Sequence, residues 1–255
     1  MEEIEVHELK KVELNKPVMI EGLPGVGNVG KLVAEHMVQE LNAEKIVEIY
    51  SRHFPPQVLV NGDGTVRLCK IEIYAWKSKE LGDLLIVNGD QQSVTNEGHY
   101  LISERLLDIA QQYDVSRIYT LGGYGIGQLV EKQTVLGSVN EAELVEEMKG
   151  YGVEFRDEEP GGSIVGASGL LLGLGKMRGI PAVCLLGLTS GYLVDPKSAQ
   201  AVLKILCRAL NLKNVIDMQD LKDRAEEMEK VIERLKEMEE AQVPRKREEE
   251  LGYIR

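Results

Sequence analysis

Short apolar runs alternate with stretches of helical periodicity between residues 17 and 210, and this alternation constrains the fold most. Strands linked by helices favour a mostly parallel sheet with helices on both faces. The predicted strands are 17–21, 45–50, 84–88, 117–121, 151–155 and 181–186, and the predicted helices are 28–42, 97–113, 141–149, 164–177 and 196–210. Residues 57–76 interrupt this pattern as an antiparallel hairpin around the turn Asn61-Gly-Asp-Gly64. The predicted fold class is therefore α/β, with a mostly parallel sheet and one antiparallel hairpin.

The loop after the first predicted strand, Gly22-Leu-Pro-Gly-Val-Gly-Asn-Val-Gly-Lys31, matches two nucleotide-binding patterns. Its glycines have the G-x-G-x-x-G spacing of dinucleotide-binding folds, and its end has the G-x-x-x-x-G-K spacing of a P-loop. The next residue, Leu32, has no hydroxyl for a magnesium ion, and Glu21 would place a carboxylate beside the phosphate. We therefore interpret the glycines as a tight strand-to-helix turn with close backbone packing, and we predict no cofactor.

Length and composition exclude several classes of protein. With 255 residues and 43% hydrophobic content, the chain can bury the core of one large α/β domain with a small appendage. A net charge of −12 does not favour nucleic-acid binding, which draws on clustered cations. The sequence contains no apolar run of membrane-spanning length and no signal-peptide pattern, which predicts a cytoplasmic protein with no membrane partner. The three cysteines and four histidines lack metal-ligand spacing, so no metal site is predicted.

The sequence offers no set of catalytic residues. Ser168 lies in Gly166-Ala-Ser-Gly169, which does not have the spacing of a nucleophile elbow. Asn96 and Glu97 follow a predicted strand, but this pair is more typical of a helix N-cap and first turn than of an acid or base. Asp195 and Pro196 likewise predict the N-cap and first residue of a helix.

Beyond residue 212 the chain becomes rich in charged residues, and a narrow apolar stripe runs through it. The residues of the stripe, spaced alternately by three and four, are Met218, Leu221, Ala225, Met228, Ile232 and Leu235. Such a stripe suits helix pairing within the chain or between subunits, and a single amphipathic helix lying on the domain fits equally. The predicted organisation is a domain over 1–212, a helix over 213–241 and a flexible tail over 242–255. The predicted oligomerisation residues are Met218, Leu221, Met228, Ile232 and Leu235.

An ordered set of short motifs covers most of residues 10–210. The motifs are Gly22-Leu-Pro-Gly-Val-Gly-Asn-Val-Gly30, Phe54-Pro-Pro56, Leu121-Gly-Gly-Tyr124, Ile164-Val-Gly-Ala-Ser-Gly-Leu-Leu-Leu172, Gly179-Ile-Pro-Ala182 and Asp195-Pro-Lys-Ser-Ala199. Together they resemble the proteasome-assembly-chaperone family, particularly its archaeal homologues. The resemblance implies a fold similar to the nucleoside-phosphorylase α/β architecture, without demonstrated catalytic residues. It also implies a role in guiding proteasome α-ring assembly without ATP.

Members of this family often end in a hydrophobic-Tyr-X tripeptide that enters pockets between proteasome α-subunits. This chain ends in Leu251-Gly-Tyr-Ile-Arg255, so Tyr253 comes one position earlier than in that pattern. The extra residue adds about 3.3 Å to the distance between the tyrosine ring and the terminal carboxylate. Docking through the tail is therefore expected to be weak, to need a shifted tail or to be absent. The predicted partner-binding residues are Leu251, Tyr253, Ile254 and Arg255.

Two classes of function follow from these observations. The first is an ATP-independent assembly chaperone or adaptor, a homo-oligomer that binds proteasome α-subunits or a paralogous assembly chaperone. The second is a small-molecule enzyme of nucleoside-phosphorylase-like fold that uses the crevice at the strand ends. The motif order, the helical stripe and the aromatic tail favour the first class.

Overall fold

A computed structural model describes residues 2–156 and 162–242 of the chain. The strands are Ile4–Glu8 (β1), Val18–Glu21 (β2), Glu44–Ser51 (β3), Val58–Val60 (β4), Val66–Leu68 (β5), Ile71–Trp76 (β6), Leu84–Gly89 (β7), Arg117–Gly125 (β8), Val135–Val139 (β9) and Ala182–Thr189 (β10). The α-helices are Val29–Glu40 (α1), Asn96–Gln112 (α2), Leu144–Tyr151 (α3), Ala167–Met177 (α4), Pro196–Ala209 (α5) and Gln219–Gln242 (α6). A short 3₁₀ turn, Val26–Asn28, precedes α1.

Eight strands form one sheet in the order β1-β3-β6-β7-β2-β8-β10-β9. The four central strands, β7, β2, β8 and β10, are parallel, so their carboxyl ends lie at one edge of the sheet, here called the carboxyl edge. Antiparallel strands flank this centre, with β1, β3 and β6 on one side and β9 on the other. The predicted α/β class is confirmed, and the antiparallel part is larger than a single hairpin.

Residues 57–76 form two structures where the sequence predicts one hairpin. β4 and β5 pair with each other in a separate two-stranded sheet, whereas β6 joins the main sheet between β3 and β7. The break comes at Lys70, whose backbone N–H donates to the Asp90 carboxylate at 3.1 Å. The Lys70 carbonyl oxygen accepts from the Asp90 backbone N–H at 3.0 Å. These contacts tie the chain between β5 and β6 to the loop after β7.

Helices cover both faces of the sheet, as predicted, because each face contributes to its own hydrophobic core. One core lies between the sheet and α1, α3, α5 and the start of α6, where Val33 and Leu206 are fully buried. The other lies between the sheet and α2 and α4, where Leu106 and Leu171 are fully buried. All residues of β7 are buried, since this central strand is covered on both sides.

The predicted strand over 151–155 is wrong. Gly152 adopts a left-handed φ of 95° that ends α3. Beyond it, only an isolated bridge joins Glu154 to Leu136. The sequence does not predict β1 and β9, the two edge strands of the main sheet. β1 is mostly exposed and alternates with acidic residues, so its apolar signal is weak.

Two predicted helix caps are found close to their expected positions. Thr95, and not Asn96, caps α2, because the Thr95 hydroxyl oxygen accepts from the Gly98 N–H at 3.0 Å. Asp195 caps α5 as predicted, accepting from the Ser198 N–H at 2.8 Å, with Pro196 as the first helical residue. The Asp195 carboxylate is therefore engaged in holding a helix start.

Candidate partner-binding site

The loop between β2 and α1, together with the start of α1 (residues 22–30, the glycine loop), lies at the carboxyl edge with backbone packed against backbone. A Cβ atom at Gly22 would lie 2.3 Å from the carbonyl oxygen of Gly30. One at Gly30 would lie 2.1 Å from the carbonyl oxygen of Leu121 in β8. One at Gly123 would lie 2.3 Å from the Val26 carbonyl oxygen, so β8 also needs a glycine here. This close approach accounts for Gly22, Gly30 and Gly123 without a phosphate ligand.

Lys31, which follows the glycine loop, contacts protein groups. Its Nζ donates to the Gly89 carbonyl oxygen at the end of β7 at 2.8 Å. It also pairs with the Glu35 carboxylate one turn further along α1, at 3.2 Å. Lys31 therefore ties α1 to the carboxyl end of β7, which supports the interpretation of this segment as a packed strand-to-helix turn.

Glu21, the last residue of β2, is a fully buried carboxylate. One oxygen accepts from the Leu23 N–H at 3.1 Å, and the other accepts from the Ser168 hydroxyl at 3.0 Å. Burial raises the pKa of Glu21 to about 7, although the hydrogen bonds from Leu23 and Ser168 lower it in part. Glu21 thus joins β2 to the first turn of α4.

Gln92 makes a second link between the same segments. Its Nε2 donates to the Pro24 carbonyl oxygen at 2.7 Å, and its Oε1 accepts from the Ala167 N–H at 3.1 Å. Together Glu21 and Gln92 fasten the glycine loop to the start of α4. The hydrogen bond that the Ser168 hydroxyl donates to the Glu21 carboxylate is part of this link.

The described residues lack the arrangements that metal sites and membrane-spanning helices require. Across residues 2–156 and 162–242, no group of three or more His, Cys, Asp or Glu side chains is arranged to hold a metal ion. None of the helices described within these ranges has the length and apolar content that a membrane span requires.

Apolar side chains are exposed around the carboxyl edge. Tyr192, after β10, is 78% exposed, and Val165, before α4, is 84% exposed. The exposed apolar residues of these loops are Val26, Val94, Leu129, Val165, Tyr192, Leu193 and Val194. The loops after β2, β8 and β10 meet around Val26, whose side chain lies close to Gly125 and Gly191. Exposed apolar clusters mark protein contacts, so this edge is a candidate partner surface that the sequence alone does not reveal.

α6 packs on the rest of the chain through its first turns. Leu221 and Ala225 are buried, and α6 packs against α5. Met218 lies against the same core as Leu221, and Met228 is half-buried. Two of the predicted oligomerisation residues, Met218 and Leu221, therefore contact the chain's own body. The side chains of Ile232 and Leu235 lie outside the described part, and pairing of the stripe between copies stays a prediction.

The predicted domain division and tail residues are not settled by these contacts. Leu212 and Ile216 are buried in the same core as Leu206, so the chain continues to pack on the body after α5. The boundary at residue 212 stays a prediction. The predicted partner-binding residues of the tail, Leu251, Tyr253, Ile254 and Arg255, lie outside the described residues.

Sequence comparison assigns the family. A sequence model of the PAC2 family matches residues 19–236. The chain belongs to the PAC2 family. The resemblance to archaeal proteasome-assembly chaperones inferred from the six motifs is thereby confirmed.

Relatives of this PAC2 chain match it over nearly their whole length. An uncharacterized protein of Methanocaldococcus jannaschii, MJ1210, is 41% identical over 260 residues, which cover 100% of this chain and 98% of the relative. The crystal structure of Pyrococcus furiosus PbaB, an archaeal proteasome activator, is 42% identical with a TM-score of 0.87, covering 92% of this chain and 100% of that one. Pyrococcus furiosus PbaA, an archaeal homolog of proteasome-assembly chaperone, is 27% identical with a TM-score of 0.74, covering 92% and 94%.

Proposed function

We propose that this chain is an ATP-independent proteasome-assembly chaperone or adaptor that binds proteasome α-subunits, in part through its C-terminal tail. The observation that carries the proposal is the PAC2 match over residues 19–236, together with 42% identity to an archaeal proteasome activator. A paralogous assembly chaperone is the second partner that this family relationship supports. We further propose that the chain acts as a homo-oligomer and has no catalytic role.

The position of α6 supports a role for the tail. Ala225 is the last buried residue of α6 among those whose side chains are described, and the helix continues to Gln242. Those 17 further residues correspond to about 25 Å of helix at 1.5 Å per residue. Another 13 residues, 243–255, follow. A tail attached to such a helix can reach a partner surface without displacing any part of the folded body.

The chemistry of the tail supports an aromatic anchor. Tyr253 is the only aromatic residue after Tyr192, and it follows an acidic stretch, Glu248-Glu-Glu250. A tyrosine ring that fills a pocket commonly contributes about 2 kcal/mol to binding. The terminal carboxylate of Arg255 is one residue too far from the ring for the family pattern, so we expect it to contribute less than in a tail in register. Several tails on one oligomer would raise avidity.

Surface-plasmon titration against sparsely immobilised α-rings tests this proposal. We expect Tyr253→Ala to weaken single-tail binding by roughly thirtyfold, which corresponds to about 2 kcal/mol. We expect deletion of Arg255 to strengthen binding, because the tyrosine then becomes penultimate and regains the family spacing.

A matched control is Tyr192→Ala, which removes an exposed tyrosine from the folded body. It should leave tail binding unchanged. A chain ending at Gln242 should bind no better than Tyr253→Ala. Equal binding by the parent, Tyr253→Ala and the chain lacking Arg255 would exclude tail docking. A loss of α-ring binding confined to Tyr192→Ala would instead place the contact at the carboxyl edge.

A further inference from the structure

The hairpin formed by β4 and β5 (the 58–68 hairpin) exposes an entirely apolar outer face. Val58 lies opposite Leu68, and Val60 lies opposite Val66, so all four side chains project from one face of the two-stranded sheet. Val60 is 73% exposed and Val66 is 60% exposed. The solvent face of a two-stranded sheet normally carries polar residues. A fixed apolar face of this kind therefore indicates a surface that another protein covers.

The inner face of the hairpin is fastened to the body, which holds the outer face in place. Leu59 packs against the core beneath α2 and α4. Arg67 makes two hydrogen bonds to the Asp90 carboxylate, at 2.5 and 2.8 Å. The Asp90 carboxylate compensates the charge of Arg67, and the guanidinium group lies on the inner side of the hairpin, away from the outer face. The hairpin is thus an apolar ridge anchored to the body.

A cleft of about 520 Å³ lies directly beside this ridge. Phe54, Pro55 and Pro56 line it, and Val58 and Leu68 of the hairpin form a shared wall. Because the same two residues belong to both features, ridge and cleft are neighbours on a single surface. This arrangement suits a two-fold contact, because the ridge of each copy can enter the cleft of the other.

We propose that the 58–68 hairpin and the adjoining cleft form a self-complementary surface on which a second copy of this chain docks. Four apolar side chains alone cover less than the roughly 800 Å² per partner of a standard interface, and the walls of the cleft extend the contact beyond the hairpin. Reciprocal insertion uses both features in both copies. This proposal rests on the homo-oligomer of the proposed function and names its contact surface, and it does not depend on docking of the tail.

The charges on this surface are complementary between two copies. The chain carries a net charge of −12, so copies repel unless they meet at a surface of low or complementary charge. The outer face of the hairpin has no charged side chain. One cation, Arg52, lines the cleft, and one carboxylate, Asp63, lies in the hairpin turn. Insertion of the hairpin turn into the partner's cleft brings these opposite charges together.

Analytical ultracentrifugation of the full chain without any proteasome component tests the proposal. The variant Val60→Glu with Val66→Glu places four carboxylates in each two-fold contact, and we expect association to weaken at least about 100-fold. Both valines are more than half exposed in one copy, so the fold should remain intact by circular dichroism. The matched control is Met177→Glu, at an 83% exposed apolar residue of α4, which should leave the association unchanged.

Charge reversal gives an independent test that leaves the apolar face unaltered. Arg52→Glu should weaken association, and adding Asp63→Arg should restore it. A parent that stays monomeric at micromolar concentration would overturn the proposal, as would a valine variant that keeps the parental mass. If the valine variant loses binding to α-rings while self-association is unchanged, the surface belongs to the proteasome and not to a second copy. Tail docking fails or succeeds separately, because no tail residue is altered here.

Discussion

The buried carboxyl group of Glu21 makes the stability of this fold depend on pH in an unusual direction. Its pKa is raised from 4.5 to about 7 by burial in the folded chain, whereas in the unfolded chain it titrates near 4.5. The folded state therefore binds an extra proton between pH 4.5 and about 7. Stability from this group is fully present below pH 4.5 and is lost as the pH rises through 7. The loss corresponds to about 3 kcal/mol at 1.36 kcal/mol per pKa unit.

The substitution Glu21→Gln isolates this contribution. A glutamine can accept from the Leu23 N–H through Oε1 and donate to the Ser168 hydroxyl through Nε2, so both contacts of the parent are kept. We expect the variant and the parent to be equally stable at pH 4. At pH 8 we expect the variant to be more stable by about 3 kcal/mol, because it has no charge to bury. Urea unfolding at a fixed protein concentration measures both values.

Glu48→Gln is a control of opposite sign. Burial alone would raise the pKa of Glu48, but hydrogen bonds from Lys45 and Lys70 lower it to about 2. Glu48 therefore adds stability above pH 4.5 that is lost as the pH falls, and its substitution should destabilise the fold at pH 8. If Glu21→Gln leaves the slope of stability against pH equal to that of the parent, then Glu21 ionises without penalty. The reasoning from its burial would be refuted.

Two further substitutions have clear expected outcomes. Gly30→Ala should destabilise the fold by more than about 3 kcal/mol, because its Cβ would lie 2.1 Å from the Leu121 carbonyl oxygen. Gly173→Ala, at a helical glycine with open space around it, should stabilise the chain by up to about 1 kcal/mol, and thermal melting compares the two. Met228→Asp with Ile232→Asp should reduce the oligomer mass in light scattering if the stripe of α6 pairs between copies. An unchanged mass with a lower melting temperature would place the stripe within one subunit.

The sequence predicts the central part of the fold because each central element has a strong and uninterrupted signal. β7 is apolar almost throughout and is buried on both faces, and α5 has a proline and an aspartate at its start. The prediction fails at Lys70, where the alternation of the sequence continues but the chain leaves one sheet and enters another. At this point the Lys70 backbone contacts Asp90, twenty residues further along the chain, and local periodicity does not report such a contact.

The sequence predicts less of the candidate site than of the fold, because the site is held by contacts between residues that are distant in sequence. The spacing of the glycine loop matches nucleotide-binding patterns, whereas the close packing of Gly30 on Leu121 explains the glycine at position 30. A signal for Glu21 is present in the sequence, since it ends the run Val18-Met-Ile without a nearby cation. Its hydrogen-bond donor, Ser168, is 147 residues away, so the link between β2 and α4 appears only in the folded chain.

The 58–68 hairpin illustrates what an alternating pattern can and cannot specify. Alternation predicts correctly that Val58 and Val60 share one face, and the register adds Val66 and Leu68 to it. It does not predict which face is turned to the body, and the apolar face would ordinarily be assigned to the core. Here the inner face holds only Leu59 and the Arg67 pair with Asp90. The apolar majority faces outward, and the proposed contact with a second copy accounts for this pattern.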